Sequence, residues 1–199
     1  MKNIIQTISL LVLLFIFSNE ISEAKVFFVT ENARFAATKK LIPYDRSLWK
    51  HWIDTDKDCL NTRQEILLSR SQSKTNLSDD GCHVEKGSWN DFYAKELLSK
   101  AIDIDIDHIV PLKHAHDIGA WKWNAIKKQN FANDPDNLVI TNLKYNRSKG
   151  AQSIASWLPQ GTRYICSYIN LWIKIKKKYS LLFKEDEKNV ISRLKLVCM

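Results

Sequence analysis

Residues 104–108 read Ile-Asp-Ile-Asp-His, the two-residue alternation of a strand with one buried face. Pro111 follows and stops the ladder. A second short strand is predicted over 138–141, where Leu-Val-Ile-Thr lies between Asn-rich turns. A helix over 142–149 comes next, with Gly150 on its C-terminal side. Upstream, Asn61 is a good N-cap with Gln64 three residues on and Ile66, Leu67 and Leu68 behind it, which predicts a helix over 62–70. Residues 71–81 are polar and read as a loop. Short helices are expected within 89–100, over 114–123 and over 153–157, the last stopped by Pro159.

The C-terminal part has a helical period. Ile165, Tyr168, Ile169, Trp172 and Ile173 recur at i, i+3, i+4 spacing, with Lys174, Lys176, Lys177 and Lys178 opposite, read as a solvated face with phosphate contact as the alternative. A second helix from about 185 carries Val190, Ile191, Leu194 and Val197. The pattern describes an α+β protein with no internal repeat and no linker.

The first residues are set apart by their pattern. Lys2 gives a positive start, residues 10–17 are unbroken apolar, and Ser22-Glu23-Ala24 offers a cleavage site. This is the layout of a secretory signal peptide over 1–24, leaving one domain over 25–199. The apolar run is short of the ~20 residues that a membrane-spanning helix requires, so the mature protein is expected off the membrane, in the extracellular space or periplasm. Loss of Lys2, Glu20 and Glu23 would raise the formal net charge from +8 to +9, which favours an anionic partner. Cys59, Cys82, Cys166 and Cys198 all fall in the mature part. In an oxidising compartment an even count reads as two disulfides, with three pairings open. Local pairing would close two loops of moderate size, and a Cys166–Cys198 bridge would tie the last two helices together. The absence of a Cys-x-x-Cys pair speaks against a four-thiolate zinc site.

Asp107-His108-Ile109-Val110-Pro111-Leu112, then Asn137-Leu138, then Asn146-Arg147-Ser148-Lys149-Gly150 resemble, in that order, the motif of HNH endonucleases. The wider chain is similar to their secreted branch, related to the C-terminal domain of the GmrSD restriction enzymes. Asp58-Cys59 with Asn61-Thr62-Arg63-Gln64-Glu65, Gly87-Ser88-Trp89, Phe131-Ala132-Asn133-Asp134 and Trp157-Leu158-Pro159 carry that likeness. The resemblance implies a ββα-metal finger over about 103–150, embedded in a mostly helical single domain whose last helices span about 162–198.

It also implies a chemistry. Phosphodiester hydrolysis needs an activated water, for which a neutral histidine is a suitable general base, and that role falls to His108. Charge relief on the phosphate calls for a divalent cation. Asp107 and the Asn146 carbonyl are oxygen ligands of the kind that Mg²⁺ takes, with Mn²⁺ as a substitute. Asn137 corresponds to the family's middle asparagine and is assigned to bracing the histidine loop. Arg147 and Lys149 are assigned to positioning phosphate. The expected partner is nucleic acid, DNA before RNA, cut with low sequence specificity to leave a 5′-phosphate. The alternatives are a non-catalytic nucleic-acid-binding protein on the same scaffold and a calcium-stabilised interaction protein. The second would use Asp54, Asp56, Asp58 and Glu65, which fall at positions 1, 3, 5 and 12 of a calcium loop but have Cys59 where glycine is needed. Arg63 and Glu65 would brace the site or lie on the helix surface. His114 and His116 do not share a helical face and read as surface or groove residues. The tryptophans read mostly as core, with Trp121 and Trp123 as candidates for base stacking.

Overall fold

The computed structural model describes residues 42–198, and those from Tyr44 onward belong to one compact unit. The expected signal peptide lies outside the described residues. Helix α1, Thr62–Arg70, begins where the cap predicts: Asn61 Oδ1 accepts the N–H groups of Arg63 and Gln64 at 3.0 and 3.3 Å. It buries Ile66 and Leu67.

The next part departs from the sequence expectation. Strands β1 (Asn76–Leu77), β2 (Val84–Asn90) and β3 (Leu97–Lys100) form an antiparallel sheet in that order, where a loop and a short helix were expected. Two long-range demands favour the hairpin. Trp89 and Leu98, paired across β2 and β3, both bury into the cluster around Ile66 and Leu67. Asp91 Oδ1 then accepts the N–H groups of Tyr93 and Ala94 at 2.7 and 3.0 Å and reverses the chain. The β2–β3 register shifts between Lys86 and Trp89. Gly87 sits in that shift, where a Cβ would come within 2.6 Å of the Trp89 ring, so only glycine lets the indole fold back and donate to Leu67 O at 2.8 Å.

Strands β4 (Ile104–His108) and β5 (Leu138–Asn142) pair antiparallel in unbroken register, from Ile104 opposite Asn142 to His108 opposite Leu138. Asn142 ends β5 and also caps α4, Leu143–Lys149, by accepting the Lys144 N–H at 2.9 Å. Two apolar clusters flank the ββ pair. Ile104, Ile106, Leu138 and Ile140 face the cluster that holds α1 and Trp89, whereas Ile109 and Val139 face the one built on Trp49, Phe131, Tyr168 and Trp172. This is why the alternation is so regular.

Between the two strands the chain makes α2 (Leu112–Asp117), a 3₁₀ turn (Ala120–Lys122) and α3 (Ala125–Ala132). The expected single helix over 114–123 is thus split, at Gly119, whose φ of 127° no helix accommodates. Residues 153–157 form a turn rather than a helix, with the N–H groups of Ser156 and Trp157 both donating to Ser153 O at 3.0 Å.

Helices α5 (Thr162–Lys178) and α6 (Glu185–Cys198) close the fold, linked by a Cys166–Cys198 disulfide; Cys59–Cys82 forms the other bridge. The lysine face of α5 is not simply solvated. Lys176 is fully buried against Glu187 of α6, while Lys174 and Lys178 pair with Asp136 at 2.9 and 3.0 Å. Glu187 also accepts from His114 Nε2 at 2.9 Å and Lys184 N at 2.7 Å. His114 and His116 are therefore buried and not at the surface: α5 and α6 cover the first, and the ring of Tyr44 lies against the second at 5.6 Å.

Cys166 and Cys198 close a loop 32 residues apart in sequence, a constraint worth about 3–4 kcal/mol. Replacing both by serine is expected to lower the melting temperature by about 10 °C, read by circular dichroism under oxidising conditions.

Candidate active site

The end of β4 brings an acid and an imidazole to one cleft of about 280 Å³, which Asn146 of α4 also lines. Regular alternation would send Asp107 and His108 to opposite faces. The ladder ends at His108, so the backbone turns there, and Asn137 holds the turn. Asn137 is fully buried, accepts the Val110 N–H on Oδ1 at 2.9 Å, and donates from Nδ2 to Val110 O at 3.3 Å. Its own carbonyl accepts the Ile109 N–H at 2.7 Å.

His108 is 5 % exposed. Its Nε2 lies 2.8 Å from Ala132 O. A carbonyl only accepts, so Nε2 carries the proton and Nδ1 keeps its lone pair. Trp52 stacks on the ring with centroids 6.0 Å apart and planes at 28°. Trp52 itself has φ of 57°, an unfavourable value for a bulky residue. The segment around it is tied to Asn133, which takes the Ile53 N–H on Oδ1 at 3.2 Å and donates from Nδ2 to Lys50 O at 2.7 Å. Burial, reinforced by the charges of Lys149, Arg46 and His51, lowers the His108 pKa to about 3, against a smaller opposing effect of the Ala132 carbonyl. The imidazole is thus neutral through the physiological range.

Asp107 is held from behind. Its Oδ2 accepts from Tyr93 Oη at 2.7 Å and from Lys149 Nζ at 2.8 Å. The same ammonium donates to His108 O at 2.8 Å, so one side chain fixes two neighbouring residues of the site. Burial pushes the Lys149 pKa down, opposed by the Asp107 charge, and pushes the Tyr93 pKa well up, reinforced by that charge. Lys149 is 0 % exposed. It lies inside the protein under Asp107, not at a surface where it would meet phosphate. Asn146 donates from Nδ2 to Asp105 Oδ2 at 2.9 Å, which turns its carbonyl oxygen elsewhere. Arg147 is exposed on α4 and does not line the cleft.

The donor chemistry suits a hard divalent cation. Asp107 Oδ1 and Asn146 Oδ1 have no hydrogen-bond donor among the described residues, while the second polar atom of each side chain is pinned. Two oxygens with the rest of the shell left to water match magnesium's habits.

Residues 45–194 match the family model described as GmrSD restriction endonucleases, C-terminal domain. The chain belongs to that family. It is a family of the HNH-nuclease type, and every residue placed in the cleft falls inside the match except Tyr44. Among relatives of this GmrSD C-terminal domain is an "Uncharacterized secreted protein" of Arthroderma benhamiae, 37% identical over 158 residues, which cover 78% of this chain and 76% of that protein. No solved structure matches. The secreted relative and the two disulfides are both consistent with an oxidising, extracellular setting.

The other sequence candidates lie elsewhere. Asp54, Asp56 and Asp58 bring carboxylate oxygens within 4.8 Å of one another on the surface, and Glu65 is not among them. Asp54 is engaged by the N–H groups of Lys57 and Cys59 at 2.7 and 3.1 Å. Arg63 braces the start of β4, donating to Ala101 O and Ile104 O at 3.0 and 2.9 Å. Trp123 packs against Trp49, Phe131 and Tyr179, and Lys122 lies over Trp121. Tyr93, Trp52 and the true place of Lys149 had no local signature, since each acts on residues far away in sequence.

A histidine with a depressed folded-state pKa takes up its proton preferentially in the unfolded chain. Its contribution is therefore complete above about pH 6.5 and is lost as pH falls towards 3. Between pH 6.5 and 4.5, metal-free protein should lose about 2–3 kcal/mol through His108. Denaturant melts at both pH values check this, and His108→Gln should flatten the difference.

Proposed function

We propose that the protein is an exported, metal-dependent endonuclease that hydrolyses phosphodiester bonds of nucleic acid, DNA before RNA, with low sequence specificity. One observation carries the reading: Asp107, His108 and Asn146 line a single cleft, and each keeps one functional atom without a partner among the described residues. Membership in a nuclease family supports it. So do the signal-peptide pattern and the secreted relative for export.

His108 Nδ1 accepts the proton of the attacking water. The Nε2–H bond to Ala132 O holds the tautomer and stabilises the imidazolium as it forms. Asp107 Oδ1 and Asn146 Oδ1 would hold the cation, Mg²⁺ with Mn²⁺ as a substitute. When bound it supplies Lewis-acid relief of charge on the phosphate and the leaving oxygen. Asn137 keeps residues 109 and 110 in the turn that presents His108. Lys149 and Tyr93 hold the Asp107 carboxylate fixed in direction. The burial of His108 favours a second reading, a non-catalytic nucleic-acid-binding protein on the same scaffold.

Mature oxidised protein incubated with plasmid DNA and with RNA, each with Mg²⁺, Mn²⁺ or EDTA, separates the two. The expected result is metal-dependent nicking that EDTA abolishes and that His108→Ala slows by at least about 100-fold. A folded protein that binds DNA but cuts neither substrate with either metal would establish the second reading.

A further inference from the structure

The cleft has a cationic side chain that the motif does not include. Tyr44 and Arg46 line it together with Asp107, His108 and Asn146, although they come from a turn some 60 residues upstream. That turn is firmly placed. Asp45 caps it, accepting the Ser47 N–H at 2.8 Å and the Ser47 hydroxyl at 2.7 Å, and Trp49 N donates to Arg46 O at 3.0 Å. Trp49, 1 % exposed, anchors it among Trp123 and Phe131, and the Tyr44 ring packs on His116. Arg46 itself is exposed.

Among the described residues that line the cleft, two carry a full positive charge, Arg46 and Lys113. Lys113 is bound to Asp117 at 2.6 Å. Among the described residues Arg46 has no ion pair; it hydrogen-bonds the Tyr44 side chain, and the neighbouring acid, Asp45, is directed at Ser47. The two cations expected to meet phosphate are both elsewhere: Lys149 is sealed under Asp107, and Arg147 lies outside the cleft. A guanidinium without an ion pair among the described residues, on a fixed turn and lining the same cleft as His108, Asp107 and Asn146, is suited to receive a phosphodiester. Its planar fork meets two non-bridging oxygens at once, which an ammonium cannot do.

We propose that Arg46 is the phosphate-holding residue of the cleft, receiving the non-bridging oxygens of the phosphodiester that is cut. The inference rests on the nuclease reading above, and the test keeps the two apart. Binding of a fluorescent DNA duplex is measured by anisotropy on the His108→Ala background in EDTA, with and without Arg46→Ala, so no turnover is needed. Cleavage kinetics are then compared for the wild type, Arg46→Ala and Arg46→Lys. Arg46→Ala is expected to weaken binding and kcat/KM by about 10- to 100-fold, the range for a lost charge-assisted contact. It should also reduce the slope of log affinity against log salt by about one. Arg46→Lys should recover the salt slope but only part of kcat/KM, a split that a merely structural role does not produce. The melting temperature should stay unchanged, because the side chain is exposed. Equal DNA affinity and equal salt slope with and without Arg46 would overturn the proposal, as would no measurable binding in either protein. A wild type that binds through Arg46 yet never cuts would remove the nuclease reading and leave Arg46 as the phosphate contact of a binding protein.

Discussion

The register of β4 against β5 is the constraint on which the rest depends. Five consecutive pairs run from Ile104 and Asn142 to His108 and Leu138. A slip of one residue would turn Asp105 and Asp107 towards the cluster that now takes Ile104 and Ile106, so the flanking apolar faces forbid it. The same register sets Asn137 one step before the partner of His108, where its amide reaches the turn after the histidine. It also ends β5 at Asn142, from which α4 starts, so that one helix returns Asn146 to Asp105 and Lys149 to Asp107. The cleft is a consequence of where one short ladder stops.

Two buried charge clusters hold the surrounding frame. Lys149 with Asp107 and Tyr93 lies beneath the cleft, and Glu187 with Lys176 and His114 joins α6, α5 and α2. Such clusters add little net stability relative to apolar packing, yet removing one member leaves a buried charge without its partner, at a cost of about 3–5 kcal/mol. They act chiefly as geometric constraints. Each fixes segments distant in sequence, and the first does so at the residues that carry the proposed chemistry.

How much of this was legible followed from how local its cause is. The Asn61 cap gave α1 its limits, alternation gave β4, and the family resemblance pointed to Asp107, His108 and Asn146, which the fold brings to one cleft. The hairpin of β2 and β3 is not legible in the sequence because burial of Trp89 and Leu98 against α1, not local propensity, decides it. Lys149, His114, Lys176 and Glu187 all look like surface residues in one dimension. Their partners are up to 73 residues away, and no periodicity registers a contact of that range. Arg46 escaped for the same reason: its turn reaches the cleft through the packing of Trp49 and Tyr44.

In the proposed function Asp107 and Asn146 form one cation site beside His108. Mn²⁺ titration followed by electron paramagnetic resonance tests it most directly, on the wild type, Asp107→Asn, Asn146→Ala and Asp54→Ala. The first two substitutions are expected to weaken the tightest Mn²⁺ site by more than about tenfold, and Asp54→Ala to leave it intact. Unchanged affinity in Asp107→Asn, with loss in Asp54→Ala, would contradict it and move the metal to the surface acidic loop.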